Sequence, residues 1–326
     1  MSERSWRRFV ATLALAVASV FPARSSAQEA VVRVADECAA GDPLMGPLCL
    51  EGALALRAAR ASVGLAASLG SPVPGSSSTV GRRIGSSPRI AISARGGLTR
   101  TGMPDPRGGA VPASRHTFMA KTIEGSVAVG VLEGFSPMPT VGGMFSVDLL
   151  ASIAAIGLSG GSGFAGSVQS LGYGARIGLL RESFTLPGVS VSATRRHVFE
   201  TSWGLPSDRV NLVFKPTVSS LRLTAGKDLL SIGVMAGWGL NRYAGVSTLN
   251  ARQTVAGITR TGTAIRSFNT DRQVFFGSLS YTFLVLQLSG EAGWSKGWAL
   301  PPGRAAGGYD SGGVMPFGSI AARLTW

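Results

Sequence analysis

From residue 89 onward, the chain consists of segments of about a dozen residues in which apolar residues occupy every second position. In the clearest segment, residues 230–241, leucine, isoleucine, valine, alanine and tryptophan alternate with serine, glycine, methionine and asparagine. Successive side chains of a β-strand point to opposite faces, so this pattern predicts strands with one apolar face. About ten such segments occur, each long enough for a tilted membrane strand of about nine to eleven residues. Weaker alternation at 210–214, 254–258 and 264–268 makes twelve strands the alternative.

The connections between these segments alternate in length. Residues 226–229 and 284–285 are short connections, whereas residues 200–217 and 243–271 are long ones. Transmembrane barrels have short periplasmic turns and longer external loops, and a soluble β-sandwich has no reason to show this alternation. The sequence therefore predicts an all-β protein, a closed antiparallel transmembrane barrel over residues 88–326.

The apolar face of such a barrel is expected to contact lipid, because backbone groups in hydrocarbon must pair within the protein and the sheet must close. Alternation then places a set of charged residues in the lumen: Arg95, Glu124, Asp148, Arg176, Arg222, Glu291 and Arg323. They could form a charged constriction that selects solutes, or ion pairs that fill a narrow interior. The ion-pair interpretation is favoured because buried charges need partners in either case. Aromatic residues near strand ends are expected to form interfacial girdles: Trp203, Tyr243, Trp294, Trp298, Phe135, Phe283 and Trp326.

The final nine residues repeat the alternation and end on an aromatic residue, with an outer row of Ile320, Ala322, Leu324 and Trp326. In this respect the C-terminus resembles that of bacterial outer-membrane β-barrels, in which the assembly machinery reads a terminal Phe or Trp and its alternating apolar partners. The resemblance implies that this chain is inserted in the outer membrane by the barrel assembly machinery. The partners it implies are periplasmic chaperones, outer-membrane lipid and lipopolysaccharide.

The N-terminus has the features of a secretory signal peptide. Three arginines, Arg4, Arg7 and Arg8, precede the apolar run 9–21, and Ser25, Ser26 and Ala27 offer small residues for cleavage. An uncleaved anchor would need about 18 to 20 apolar residues, more than this run provides. Residues 1–27 are therefore expected to be removed, which lowers the net charge from +14 to +11.

Residues 28–87 differ in texture from the barrel and form a predicted periplasmic or plug-like extension. Apolar residues at helical spacing between Leu50 and Leu65 predict a helix that ends before Gly70, followed by a polar linker over 76–87. The only cysteines, Cys38 and Cys49, are expected to form a disulfide in an oxidising compartment. A metal site would need further ligands nearby and is not predicted.

The basic residues are dispersed, so the positive charge does not indicate nucleic-acid binding. No motif predicts a cofactor, and the sequence does not indicate an oligomeric state. The predicted function is an outer-membrane barrel with a structural, interaction or narrow-pore role. Outer-membrane hydrolases use a histidine near the external rim, so an enzyme is the alternative. Its candidate residues are His116 or His197 with Asp105, Asp208, Asp271 or Ser114. A soluble secreted β-protein is the second alternative.

Overall fold

The computed structural model of the protein describes residues 26–81, 87–108, 113–135, 144–158, 163–184, 186–298, 310 and 312–326, with side chains from residue 30 onward. All of the predicted signal peptide except its last two residues lies outside this part of the chain.

Ten antiparallel strands form a closed barrel. Numbered among all fourteen strands, they are β1 (Ile90–Asp105), β2 (Ser114–Leu132), β3 (Val147–Leu158), β4 (Ser167–Leu180), β5 (Gly188–Val198), β8 (Thr217–Leu229), β9 (Ile232–Ala244), β12 (Thr270–Phe283), β13 (Leu286–Gly297) and β14 (Met315–Thr325). They follow one another around the barrel in chain order, and β1 closes the sheet by pairing with β14 from Ala91↔Thr325 to Thr99↔Phe317. The predicted closed barrel of ten strands is thus confirmed.

The two ends of the barrel differ. At the turn end β1 begins and β14 ends, and residues 230–231 and 284–285 make tight turns. At the opposite, loop end, the two longest connections form a separate four-stranded sheet in the order β11-β10-β7-β6. Its strands are β6 (Thr201–Trp203), β7 (Val210–Phe214), β10 (Val246–Val255) and β11 (Ile258–Ser267). The weak alternation at 210–214 and 254–268 therefore belongs to this extension and not to two further barrel strands.

The outer face of the barrel is apolar. In the row predicted to face lipid, Ile232 is 51% exposed and Val234 is 55% exposed. Ile123 and Ile320, on other strands, are each 74% exposed. Soluble monomers rarely expose contiguous apolar patches larger than a few hundred Å², so this belt is the surface of a barrel solvated by lipid and argues against the soluble alternative.

Two helices precede the barrel: α1 (Ser26–Ala39) and α2 (Gly46–Ala67). Between them is a 3₁₀ turn, Pro43–Met45, capped by the side chain of Asp42, which accepts a hydrogen bond from the N–H of Leu44 at 3.0 Å. Helix α2 is buried on almost every side, because strands of both the barrel and the extension sheet surround it. In the described part of the chain, neither helix is long and apolar enough to cross a membrane.

Two of the expected girdle aromatics point inward. Trp203 and Tyr243 are both fully buried, Trp203 in the extension sheet and Tyr243 against α2. The girdle prediction was wrong for these two residues, because Tyr243 packs against Gly64 of α2 inside the barrel and Trp203 belongs to the extension sheet. Trp294 and Phe283 do lie on the outer face, 49% and 63% exposed.

Candidate functional site: the occupied lumen

Residues 66–81, termed here the threaded segment, run through the lumen from the end of α2 to the turn end. Helix α2 gives way to turns and bends at Ser68, whose hydroxyl donates to the carbonyl of Gly64 at 2.8 Å. Gly70 follows in the left-handed region, with φ +50°. Prolines at 72 and 74 keep the chain from continuing as helix. The main-chain groups thereby exposed need partners from the barrel wall.

At the loop side of the lumen, three strands hold the end of α2. The hydroxyl of Thr122 donates to the carbonyl of Ala66 at 2.8 Å, and Arg196 donates to the carbonyl of Ala67 at 2.6 Å. The Asn241 amide donates to the Ser68 hydroxyl at 3.2 Å. These side chains come from β2, β5 and β9, which lie in different parts of the wall.

Midway through the lumen, two arginines bind successive carbonyls. Arg222 donates to the carbonyls of Ser68 and Gly70, both at 3.2 Å, and Arg95 donates to those of Leu69 and Ser71. Glu291 accepts from the N–H of Ser71 at 3.1 Å. A Cβ atom on Gly70 would lie 1.2 Å from Oε1 of Glu291, so any larger residue would displace this carboxylate, and the left-handed backbone also favours glycine.

Near the turn end the same arrangement continues. Gln287 donates to the carbonyl of Gly75 at 3.1 Å, and Arg176 donates to that of Ser76 at 3.2 Å. The N–H of Val80 reaches the carboxylate of Asp148. Polar side chains from most of the wall therefore satisfy the backbone of the threaded segment.

The lumen charges are paired among themselves only in part. Glu124 contacts Arg196 at 2.8 Å and Arg95 at 3.7 Å, and Asp148 contacts Arg176 at 2.7 Å. All five side chains are at most 5% exposed. An unpaired buried charge costs several kcal/mol, so the arginine donors left over from these pairs must find other acceptors. Carbonyls of the threaded segment accept from Arg95, Arg176 and Arg196 and so supply part of this hydrogen bonding.

The structure places six of the seven predicted lumen residues in buried positions, and Arg323 is half-buried on the same side. Arg196, Thr122 and Gln287, which complete the site, were not predicted from the sequence, and Asn241 was predicted only as part of the polar face of residues 230–241. Each of them alternates along its strand with apolar residues that were predicted to face lipid, and this alternation could have identified them as lumen residues. Arg196 follows Ser190 and Ser192 at even spacing along β5.

Helix α2 is fitted to the wall by small residues. A Cβ on Gly64 would lie 2.3 Å from the ring of Tyr243, so the helix can pass this tyrosine only with glycine at the contact. Arg60, fully buried, donates to the carbonyls of Tyr243 and Phe268 at 3.1 and 2.8 Å and lies 4.1 Å from the centre of the Phe268 ring.

Helix α1 lies at the loop end against the extension sheet. The predicted disulfide between Cys38 and Cys49 is present and joins α1 to α2. Glu37 forms an ion pair with Arg266, which lowers the pKa of Glu37. Asp42 pairs with Arg260, which likewise lowers the pKa of Asp42. Helix α1 was not predicted from the sequence, although Val31, Val34, Ala35 and Cys38 have helical spacing and are buried.

The two histidines lie on opposite faces of the wall. His197 points outward, stacks on Tyr173 with ring centres 6.1 Å apart and contacts the Thr217 hydroxyl at 3.3 Å. His116 lies on the inner side of the β1–β2 hairpin, where Ser114 pairs in register with Asp105.

The predicted acidic partners of these histidines have other contacts. Arg107 donates hydrogen bonds to both carboxylate oxygens of Asp105, at 2.8 and 2.7 Å. Arg242 contacts Asp271 at 3.0 Å, and Asp208 accepts from the N–H of Leu205 at 2.8 Å. A hydrolytic activity stays a prediction. Over the described ranges, no group of three or more His, Cys, Asp or Glu residues could hold a metal ion.

The barrel is similar to solved outer-membrane structures. Escherichia coli outer membrane protease OmpT aligns at 10% identity and a TM-score of 0.38, over 73% of this chain and 96% of OmpT. The translocator domain of autotransporter NalP from Neisseria meningitidis aligns at 11% identity and 0.35, over 73% and 87%. Neisserial surface protein A aligns at 7% identity and 0.27, over 72% and 96%. No protein-family model and no curated protein matches the chain. These similarities concern barrel architecture and assign no activity.

Proposed function

We propose that this protein resides in the bacterial outer membrane after export through a cleaved signal peptide, with its loop end outside the cell. Its lumen is closed by its own threaded segment, and its role is structural or interactive. What it presents outside is the external platform, defined as α1, the first turns of α2 and the extension sheet β6, β7, β10 and β11.

The observation that carries this proposal is the hydrogen bonding of the threaded segment. Main-chain groups between Ala66 and Val80 bind inward side chains of β1, β2, β3, β4, β5, β8 and β13. A solute pore needs polar side chains that contact water and solute, whereas here those side chains bind protein backbone. This favours a closed barrel over the narrow pore.

Conductance in planar bilayers tests the closed lumen. Full-length folded protein is expected to give no current above the lipid background. Stable single-channel currents from the intact chain would contradict the closed lumen, whatever their ion selectivity.

Surface labelling of intact cells tests the orientation. A peptide epitope inserted at the exposed turn between Ala256 and Gly257 of the external platform should bind antibody without permeabilisation. The matched control is an epitope at the tight turn between Leu284 and Val285, which should bind antibody only after the outer membrane is opened. The reverse pattern would place the platform in the periplasm.

The terminal strand is the proposed signal for the barrel assembly machinery. Ile320, Leu324 and Trp326 are 74%, 44% and 45% exposed on the outer face, and β14 pairs with both β13 and β1. Removal of Trp326 should lower the amount of folded protein in outer-membrane fractions and leave export unchanged. Unaltered assembly would show that the terminal aromatic is not read.

A further inference from the structure

Basic side chains project from the outer face of the barrel near its loop end. Arg100 on β1, Lys121 on β2, Arg195 on β5 and Lys296 on β13 are all exposed there. Arg242 on β9 also points outward, but it pairs with Asp271. Among the described residues, no carboxylate lies within ion-pair distance of Arg100 or Lys121. These two exposed cations are therefore available to bind groups of the surrounding membrane.

Arg100 and Lys121 flank one groove. Arg100 lies opposite Met119 and Lys121 lies opposite Leu98. The two cations are therefore diagonal neighbours, close enough to bind the same ligand. The groove between them has a volume of about 660 Å³, and Thr117 and Gly157 are also in its lining. Because Gly157 has no side chain, the wall is recessed beside the two cations.

Towards the turn end, the wall beneath this groove is apolar. The next outward residues along β1 and β2 are Leu98 and Ile123, which are 48% and 74% exposed. The site therefore has positive charge on its loop side and a hydrocarbon-like surface on its membrane side. This is the distribution of an amphiphile that has an anionic head group and acyl chains.

We propose that this groove binds a phosphorylated lipid of the outer leaflet, of the lipopolysaccharide type, with a phosphate between Arg100 and Lys121 and an acyl chain along Leu98 and Ile123. Arginine binds phosphate through paired N–H donors and lysine adds a point charge. The contiguous apolar wall favours a lipid over free phosphate. The inference rests on the outer-membrane location proposed above and names one lipid partner at that location.

The experiment measures binding of diphosphoryl lipid A to the full-length protein in nonionic detergent, by titration and native mass spectrometry. Each basic residue near a membrane surface contributes about fivefold to anionic-lipid binding, so R100A/K121A should weaken affinity about 25-fold. R100K/K121R, which keeps both charges, should retain most of it. R195A/K296A removes two outward cations from elsewhere on the rim and should bind like wild type.

A fourth variant tests the shape of the groove separately from its charge. A Cβ on Gly157 meets no atom closer than 3.9 Å, so Gly157→Leu should be tolerated, fill the recess and weaken lipid A binding without altering charge. Heat-dependent gel mobility confirms that each variant is folded. Wild-type affinity in R100A/K121A, or equal losses in both alanine pairs, would overturn the site. Displacement of lipid A by equimolar inorganic phosphate would overturn the lipid as its occupant. Cell fractionation tests the location independently of this binding measurement.

Discussion

The main-chain N–H of Val80 donates to both carboxylate oxygens of Asp148, at 3.1 and 2.9 Å, and so ties the end of the threaded segment to β3. The same carboxylate binds Arg176 through two nitrogens, at 3.0 and 2.7 Å. One buried side chain thus joins the barrel wall, its neighbouring strand β4 and the segment that closes the lumen.

We expect Asp148→Ala to destabilise the folded barrel by about 3–5 kcal/mol, because it leaves Arg176 buried without a charged partner. Asp148→Leu combined with Arg176→Met removes both charges and should cost less than the single change. Urea unfolding in lipid vesicles, followed by tryptophan fluorescence, measures both. A double variant as unstable as Asp148→Ala would show that the charge pair is not the source of the loss.

Arg95 and Arg222 hold four successive carbonyls of the threaded segment, from Ser68 to Ser71. R95A/R222A should loosen the segment and produce transient currents in planar bilayers where wild type is silent. Arg323→Ala is the matched control, since Arg323 lies on the same side without a described hydrogen bond to the segment. Currents of equal frequency in Arg323→Ala would contradict the proposal that Arg95 and Arg222 hold the threaded segment in the lumen.

Gly64 is expected to be essential for the passage of α2 along Tyr243. Gly64→Leu places a side chain where the Tyr243 ring lies 2.3 Å from a Cβ, and overpacking of this kind costs about 1–3 kcal/mol. Tyr243→Ala in the same chain should recover part of the loss, and the interaction free energy of the two changes measures the contact. Gly41→Ala, with no atom within 4 Å of the added Cβ, is the neutral control.

The disulfide between Cys38 and Cys49 should stabilise the external platform and not the barrel. The two residues are 11 apart, and closure of a loop of this size is worth about 3 kcal/mol in the chain-entropy model. C38S/C49S should become cleavable by protease near α1 while the barrel keeps its heat-dependent gel mobility. Loss of the folded barrel band would show instead that α1 contributes to barrel assembly.

Docking of α1 should weaken in acid. Ion pairs with Arg266 and Arg260 lower the pKa of Glu37 and of Asp42, so their contribution is fully present above the ordinary carboxyl pKa of about 4. It is lost as the pH falls through the lowered values. Hydrogen exchange of residues 30–39, corrected for the intrinsic rate, should rise in that range. In Glu37→Gln/Asp42→Asn this additional rise should disappear, and its persistence would assign the change to other groups.

Alternation in the sequence was sufficient to determine the barrel. The row containing Ile232 and Val234 faces outward because a strand has a period of two residues, and lipid accepts apolar side chains on the outside of a closed sheet. The same rule identified Arg95, Glu124 and Asp148 as lumen residues. These inferences needed only neighbours along one strand.

Tertiary structure alone decided what fills the barrel. Residues 68–81 are rich in Ser, Gly and Pro and have no period, and the sequence predicted only a polar linker over 76–87. Their partners lie far along the chain, as with Ser71 and Glu291, which are 220 residues apart. No local pattern encodes such contacts. The sequence alone therefore predicted the wall and its polar lining, but not what occupies the lumen. The path of the N-terminal segment is a property of the closed wall, because only there do arginines from distant strands converge on its backbone.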